Sequence, residues 1–201
     1  MTAPDPAEDR RFPTLSPPRL IALVGFMGAG KTTVGRLLAA RCGWRFQDVD
    51  AAIETETGST IAELFAVHGE PWFRALEHAT LARLLQPHAE SGHAVAGGLV
   101  LAPGGGAIED ARTRELLLRT EGVRLVHLEV TLEEAIRRCA ADTANLRPVL
   151  ADRARLAARY EQRLGLYRLA HLTVEVDGLA PEQVAERIWH WLREDEFPAI
   201  G

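Results

Sequence analysis

The stretch "GFMGAGKT", Gly25 to Thr32, carries the clearest chemistry in this chain. It fits G-x-x-x-x-G-K-[ST] and lies between an apolar run, "RLIALVG", and a helical pattern that starts at Lys31. That strand–loop–helix setting is the one in which this motif binds a triphosphate. Gly25, Gly28 and Gly30 leave the backbone N–H groups free to wrap phosphates, and Ala29 and Thr33 complete the loop and its first helical turn. The start of the helix adds positive potential at the same place. Lys31 is expected to reach the outer phosphates and Thr32 to ligate Mg²⁺. The plain alternative is a glycine-rich turn that only ends a strand. The motif implies binding of a nucleoside triphosphate and leaves the phosphoryl acceptor open.

Further along, "QDVD" puts Asp48 and Asp50 at the end of a second short apolar segment. If the strand continues through them, both side chains point the same way. A hard cation beside a triphosphate takes oxygen ligands and keeps several waters, so Asp48 suits Mg²⁺. Asp50 suits a substrate hydroxyl, as hydrogen-bond acceptor and then as base. Both could equally be acids at a helix N-terminus, favoured by the helix dipole. In "FRALE", Arg74 and Glu77 stand three apart and can touch on a helix, which could be no more than a surface ion pair. Arg155, Arg159 and Arg163 recur every fourth residue, the pattern of a solvated helix face. "LAPGGGAIED" places Gly104, Gly105 and Gly106 after an apolar run, where a strand-to-helix turn or a close approach to a ligand would need them.

The elements that must position these residues alternate. Apolar strand patterns occur at "RLIALVG", "WRFQDVD", "GLVLA", "VRLVHLEV" and "LTVEV". Helical patterns run over 31–42, from Thr60 to Val67, 70–85, 109–119, from Thr131 onward, 152–168 and 181–192. Thr60 with Glu63, and Thr131 with Glu134, have capping-box spacing. The alternation implies an α/β fold with a parallel sheet covered on both faces. Two segments break the rhythm: the helices over 50–85, and the polar, Pro-interrupted loop over 140–153, which reads as mobile. Insertions of this kind at the carboxyl end of an open sheet suit substrate-binding and lid elements.

The totals narrow the partners. At 201 residues with 47% hydrophobic content, the chain has material for one core, and its net charge of −5 disfavours nucleic acid and acidic membranes. No apolar run approaches the roughly 20 residues that span a bilayer. Residues 1–19 are rich in Pro and charge and read as a disordered tail, and 194–201 as a short C-terminal one. The two cysteines, Cys42 and Cys139, show no metal or disulfide spacing and suit a cytoplasmic location.

Taken in order, "GFMGAGKT", "DVD", "FRALE", "GGG", "RPVL" and "RLGLY" resemble the motif series of the shikimate kinase family, over about Leu20 to Leu192. The resemblance implies a P-loop NTPase three-layer fold, similar to nucleoside monophosphate kinases. It would have a central five-stranded parallel sheet, a helical substrate-binding insert and a lid. It implies a monomer that transfers phosphate from ATP to the 3-hydroxyl of shikimate, with Mg²⁺, in aromatic amino-acid synthesis. Carried over by motif, Asp50, Arg74, Arg163 and Gly104 to Gly106 would contact shikimate. Arg74 and Arg163 would clasp its carboxylate, with Glu77 orienting Arg74. Arg147 of "RPVL" would reach the phosphates from the lid and join Lys31 and Asp50 in catalysis, while Arg138 would pack near adenine. The triplet would leave room for the ring of the acceptor, so a side chain there, at Gly105 for example, should obstruct it.

Overall fold

The computed structural model describes residues 20–85, 97–141 and 152–196. Arg147, most of the expected lid, the expected N-terminal tail and the last five residues of the expected C-terminal one lie outside them. Five strands, β1 (Leu20–Val24), β2 (Arg45–Asp48), β3 (Leu99–Ala102), β4 (Val123–Glu129) and β5 (Leu172–Glu175), form one sheet in the order β2-β3-β1-β4-β5. Every pairing is parallel. The middle strands β3, β1 and β4 are almost wholly buried, as expected where helices cover both faces. The edge strands β2 and β5 carry more exposed positions.

Eight helices complete the layers among the described residues: α1 (Lys31–Cys42), α2 (Val49–Thr57), α3 (Ile61–His68), α4 (Glu70–Leu85), α5 (Ala111–Arg119), α6 (Leu132–Ala141), α7 (Arg153–Tyr167) and α8 (Pro181–Glu196). None is long and apolar enough to cross a membrane. α1 ends at Gly43 in a left-handed cap (φ 67°), and Thr60 and Glu63 form the full capping box of α3. The neighbours of β1 are β3 and β4, so the chain leaves the centre of the sheet in opposite directions. A crevice therefore opens at the carboxyl ends of these strands. The phosphate-loop motif follows β1, the glycine triplet follows β3, and Asp48 closes β2 beside it.

Four local expectations change. β2 stops at Asp48, and Asp50 is already in the first turn of α2, so the two acids do not share a strand face. Asp48 caps the helix, accepting from the Ala51 N–H at 3.3 Å, and its own side chain ends the strand. The helix expected from Glu109 is a 3₁₀ turn, Ala107–Glu109, followed by α5 with Asp110 as its cap. Thr131 accepts from the Glu134 N–H, but the Thr131 N–H donates to Asp177 rather than Glu134, whose carboxylate is taken by two arginines. Finally, α8 runs on to Glu196, beyond the expected Leu192 and into the expected tail.

Candidate active site

The phosphate loop leaves β1 and enters α1 through two glycines that only glycine suits. Gly28 (φ 75°) and Gly30 (φ 90°) are left-handed, and a Cβ on Gly28 would lie 2.9 Å from the Ala135 carbonyl oxygen. Lys31 folds back over this loop and donates to the Gly25 and Phe26 carbonyls at 2.8 and 3.3 Å. The Thr32 hydroxyl donates to Asp48 Oδ2 at 2.8 Å. Helix start and strand end thus bring together the two oxygens expected to hold Mg²⁺. No cluster of three or more His, Cys, Asp or Glu suited to a metal occurs among the described residues. A hydroxyl and a carboxylate beside a phosphate loop fit an ion that takes its remaining ligands from phosphate and water.

Two clefts flank the loop and share Gly28, Gly30 and Thr33 as their common wall. One, of about 510 Å³, contains Lys31, Thr32, Asp48, Asp50, the glycine triplet and Arg163. The other, of about 530 Å³, lies between the loop, α6 and the turn from β5 to α8, with Ala29, Arg137 and Arg138 on its walls.

In the first cleft the charged groups hold one another. Arg74 Nη1 donates to Glu77 Oε2 at 2.6 Å and Nη2 to Glu70 at 3.1 Å. Its guanidinium also lies over the rings of Phe65 and Phe73, at 5.7 and 5.5 Å. Glu77 is fully buried, so the pair is no surface bridge. Burial pushes Glu77 up to about 7, the nearby Asp50 acting in the same direction and Arg74 against it. Its second oxygen, Oε1, is buried without a hydrogen-bond partner. Burial and the adjacent Asp48 likewise hold Asp50 above the ordinary carboxylate range, opposed by Lys31 and Arg74. An acid raised in this way is a better base at neutral pH.

Arg155 and Arg159 stay at or near the surface of α7, whereas Arg163, one turn on, is buried. Its guanidinium lies 5.9 Å from the ring centroid of Phe26 in the phosphate loop, and Nη2 meets Glu109 Oε2 at 2.7 Å. The repeat that suggests a wet face therefore leads into the cleft.

None of the triplet glycines is left-handed. Space explains them, and unequally. A Cβ on Gly104 would come within 2.7 Å of Glu77 Oε1 and 2.9 Å of Asp50 Oδ1. One on Gly106 would collide with the Arg74 guanidinium and stand 3.0 Å from Arg163 Nη2. On Gly105 it would make ordinary contacts, the nearest being the Gly25 carbonyl oxygen at 3.5 Å. The outer two glycines make room for the protein's own charged side chains, while Gly105 lines the cleft with ordinary contacts to the protein around its Cβ position.

In the second cleft, Arg138 spans the gap. Nε donates to Glu134 at 2.6 Å, Nη1 to the Gly28 carbonyl at 3.3 Å and Nη2 to the Val176 carbonyl at 3.0 Å. Arg137 also binds Glu134 but remains 71% exposed.

Several contributors carry no distinct sequence signal. Glu109 is one more acid after the triplet, and Phe26 occupies a variable position of the motif. Tyr167, by contrast, closes the "RLGLY" stretch, four residues after Arg163 on the same face. Its hydroxyl donates to the Gly105 carbonyl at 2.5 Å and its ring stacks on buried His127 at 5.1 Å.

A family model described as shikimate kinase matches residues 27–193. A shikimate kinase of Thermobifida fusca is 43% identical over 185 residues, covering 90% of this chain and 96% of that protein. One of Streptomyces coelicolor is 44% identical over 170 residues, covering 83% and 91%. The structure of shikimate kinase from Acinetobacter baumannii in complex with shikimate is 37% identical and superposes with a TM-score of 0.75 over 88% of this chain and 94% of that one.

Proposed function

Since the chain belongs to the shikimate kinase family, we propose that it transfers the γ-phosphoryl group of ATP to the 3-hydroxyl of shikimate, as a step toward aromatic amino acids. The observation that carries this reading is the convergence of two guanidinium groups, half-buried Arg74 and buried Arg163, on Gly106, which lines the crevice that also holds Lys31 and Asp50. Paired guanidinium groups are suited to clasping a carboxylate, and shikimate carries one on its ring, two carbons from the one that bears the reacting hydroxyl.

ATP lies along the phosphate loop, its base in the cleft bordered by Arg138 and its outer phosphates over Lys31. Shikimate occupies the other cleft, its carboxylate on Arg74 and Arg163, Glu77 orienting Arg74, and the triplet beneath. Asp50 accepts a hydrogen bond from the 3-hydroxyl and takes its proton as the oxygen attacks the γ-phosphorus. Lys31 offsets charge on the phosphoryl group as the bond to the β-phosphate oxygen breaks, and Arg147 joins it there. Thr32 and Asp48 would hold Mg²⁺, which supplies charge neutralisation to the phosphates when bound. Most of the acceleration comes from positioning and charge compensation, as in phosphoryl transfer generally. The same reading has the chain act as a cytoplasmic monomer, with no nucleic-acid or membrane partner. The net charge of −5 supports the lack of a nucleic-acid or acidic-membrane partner, and the spacing of Cys42 and Cys139, which suits no disulfide or metal site, supports the cytoplasm.

A coupled ADP-release assay with Mg-ATP tests the proposal against shikimate, quinate and gluconate. Release should be fastest with shikimate by a wide margin. Release at one rate with all three acceptors would contradict it.

A further inference from the structure

We propose that Glu109 is a positioning residue for the acceptor carboxylate: it holds one end of Arg163 so that the other end faces the cleft. The inference rests on the reading of that cleft as the shikimate site.

Arg163 is charged and its side chain is only 7% exposed. Its Nε is buried without a hydrogen-bond partner, so the guanidinium depends on what its Nη atoms touch. Nη2 meets Glu109 at 2.7 Å. Nη1 faces Gly105, 3.7 Å from where a Cβ would stand, on the wall that lines the cleft. Division of labour follows from the shape of the group: Glu109 fixes one amine by charge, the Tyr167 hydroxyl lies beside the other as a neutral neighbour, and the plane of the guanidinium is aimed by the ion pair.

Glu109 is itself held. It closes the 3₁₀ turn after the triplet, its N–H donates to the Gly106 carbonyl at 3.0 Å, and Arg114 binds the Ile108 and Glu109 carbonyls at 2.9 and 3.3 Å. The turn that delivers the triplet therefore also delivers the counter-ion of Arg163. Tyr167, one helical turn beyond Arg163, ties α7 to the Gly105 carbonyl and fixes the spacing between the two elements. Arg74 is built on the same plan, with Glu77 as its buried partner. The difference is that Glu77 comes from the same helix and Glu109 from a separate element 54 residues away. Removing Glu109 leaves a buried cation without its partner, and such a group reorients to find another.

The test compares Glu109→Gln, Glu109→Ala, Arg163→Gln and the double variant Arg163→Gln/Glu109→Ala by steady-state kinetics. Glu109→Ala should raise KM for shikimate about 10-fold while changing kcat and KM for ATP by less than about 3-fold. Glu109→Gln, which keeps the shape and a hydrogen-bond acceptor, should fall between it and the parent, and it decides the matter if the alanine variant does not fold. In the Arg163→Gln background, Glu109→Ala should change KM for shikimate by less than about 2-fold, because the group it positions is gone. An unchanged or lowered KM in the Glu109 single variants, or the same fold-change with and without Arg163, would overturn the inference. An unmodified enzyme inactive on shikimate would contradict the functional reading first, and this inference with it. An active one with unaffected Glu109 variants would contradict the inference alone.

Discussion

The two clefts beside the phosphate loop share a wall and are nearly equal in volume, yet they are built differently. On the acceptor side, each locked pair has one buried member: Arg74 is held by fully buried Glu77, and buried Arg163 is held by Glu109. On the nucleotide side, Glu134 gathers two arginines of which one is mostly exposed, and Arg138 spends its remaining donors on backbone carbonyls. Desolvated charge pairs are costly to form and costly to break, so they fix geometry and select a partner by charge. A partly solvated face braced by backbone contacts tolerates change. The acceptor side should therefore carry specificity, and the nucleotide side mainly affinity.

The largest effect that would sharpen this contrast is expected at Asp50. Asp50→Asn should lower kcat by about 10²–10⁴-fold, with KM for ATP little changed. An equal loss of ATP affinity would move Asp50 to the nucleotide side. Arg74→Ala should cost about 2–5 kcal/mol in kcat/KM for shikimate, because it strands buried Glu77 as well as losing the ligand contact. A near-normal value would remove Arg74 from the site.

Within the triplet, the collision with Arg74 ranks Gly106→Ala above Gly105→Ala. The first should lower kcat/KM for shikimate by about 10-fold or more and the second by less, on the scale of a small displacement of a positioning group. ATP binding, measured directly, should hold in both. A reversed order would mean that the ring of the acceptor, and not the guanidinium, fills the space over the triplet.

Acidity gives a subtler test. Glu77 is raised to about 7, so as pH falls through that value it gains a proton and stops acting as the charged partner of Arg74. The kcat/KM for shikimate should then decline on the acid side with a pKa near 7, and Glu77→Gln should remove that limb. Folding stability has the opposite sign. A carboxyl raised from 4.5 to about 7 on folding binds its proton more tightly in the folded state, so its contribution is fully present below 4.5 and lost as pH rises to about 7. Denaturant titrations of the parent and Glu77→Gln across that window should show the slope in the first and its loss in the second.

The smallest effect belongs to the other cleft. Arg138→Ala should raise KM for ATP by only a few-fold, on the scale of partly exposed ion pairs, and leave KM for shikimate alone. A loss as large as that of Arg74→Ala would erase the contrast between the clefts.

How much of this was legible in the residues depends on the range of the interaction. The five strands, the phosphate loop and the Arg74–Glu77 pair depend on local periodicity or on spacing of three or four, and the structure has them where the pattern puts them. For Asp48 and Asp50 the pattern leaves strand end and helix N-terminus balanced, and the structure takes the second: Asp48 caps α2 and Asp50 stands in its first turn. The burial of Arg163 depends on how α7 leans against Phe26, and its pairing with Glu109 on chain closure over 54 residues; no period encodes either. The triplet signals a turn or a close approach without saying by what; two of its three positions make room for side chains that arrive from α2, α4 and α7, which no local pattern encodes.

The contrast between clefts is tested most directly by masking the charge of the acceptor. The rates with shikimate and with its methyl ester, which keeps the ring and hydroxyls but lacks the anion, should be measured in the parent and in Arg74→Ala. The parent should prefer the acid by roughly 30-fold or more, and Arg74→Ala should lose most of that preference, as expected when a buried guanidinium is the group that reads the carboxylate. Equal preference in both proteins would contradict the account, because the acceptor carboxylate would then be recognised somewhere other than the guanidinium pair over Gly106.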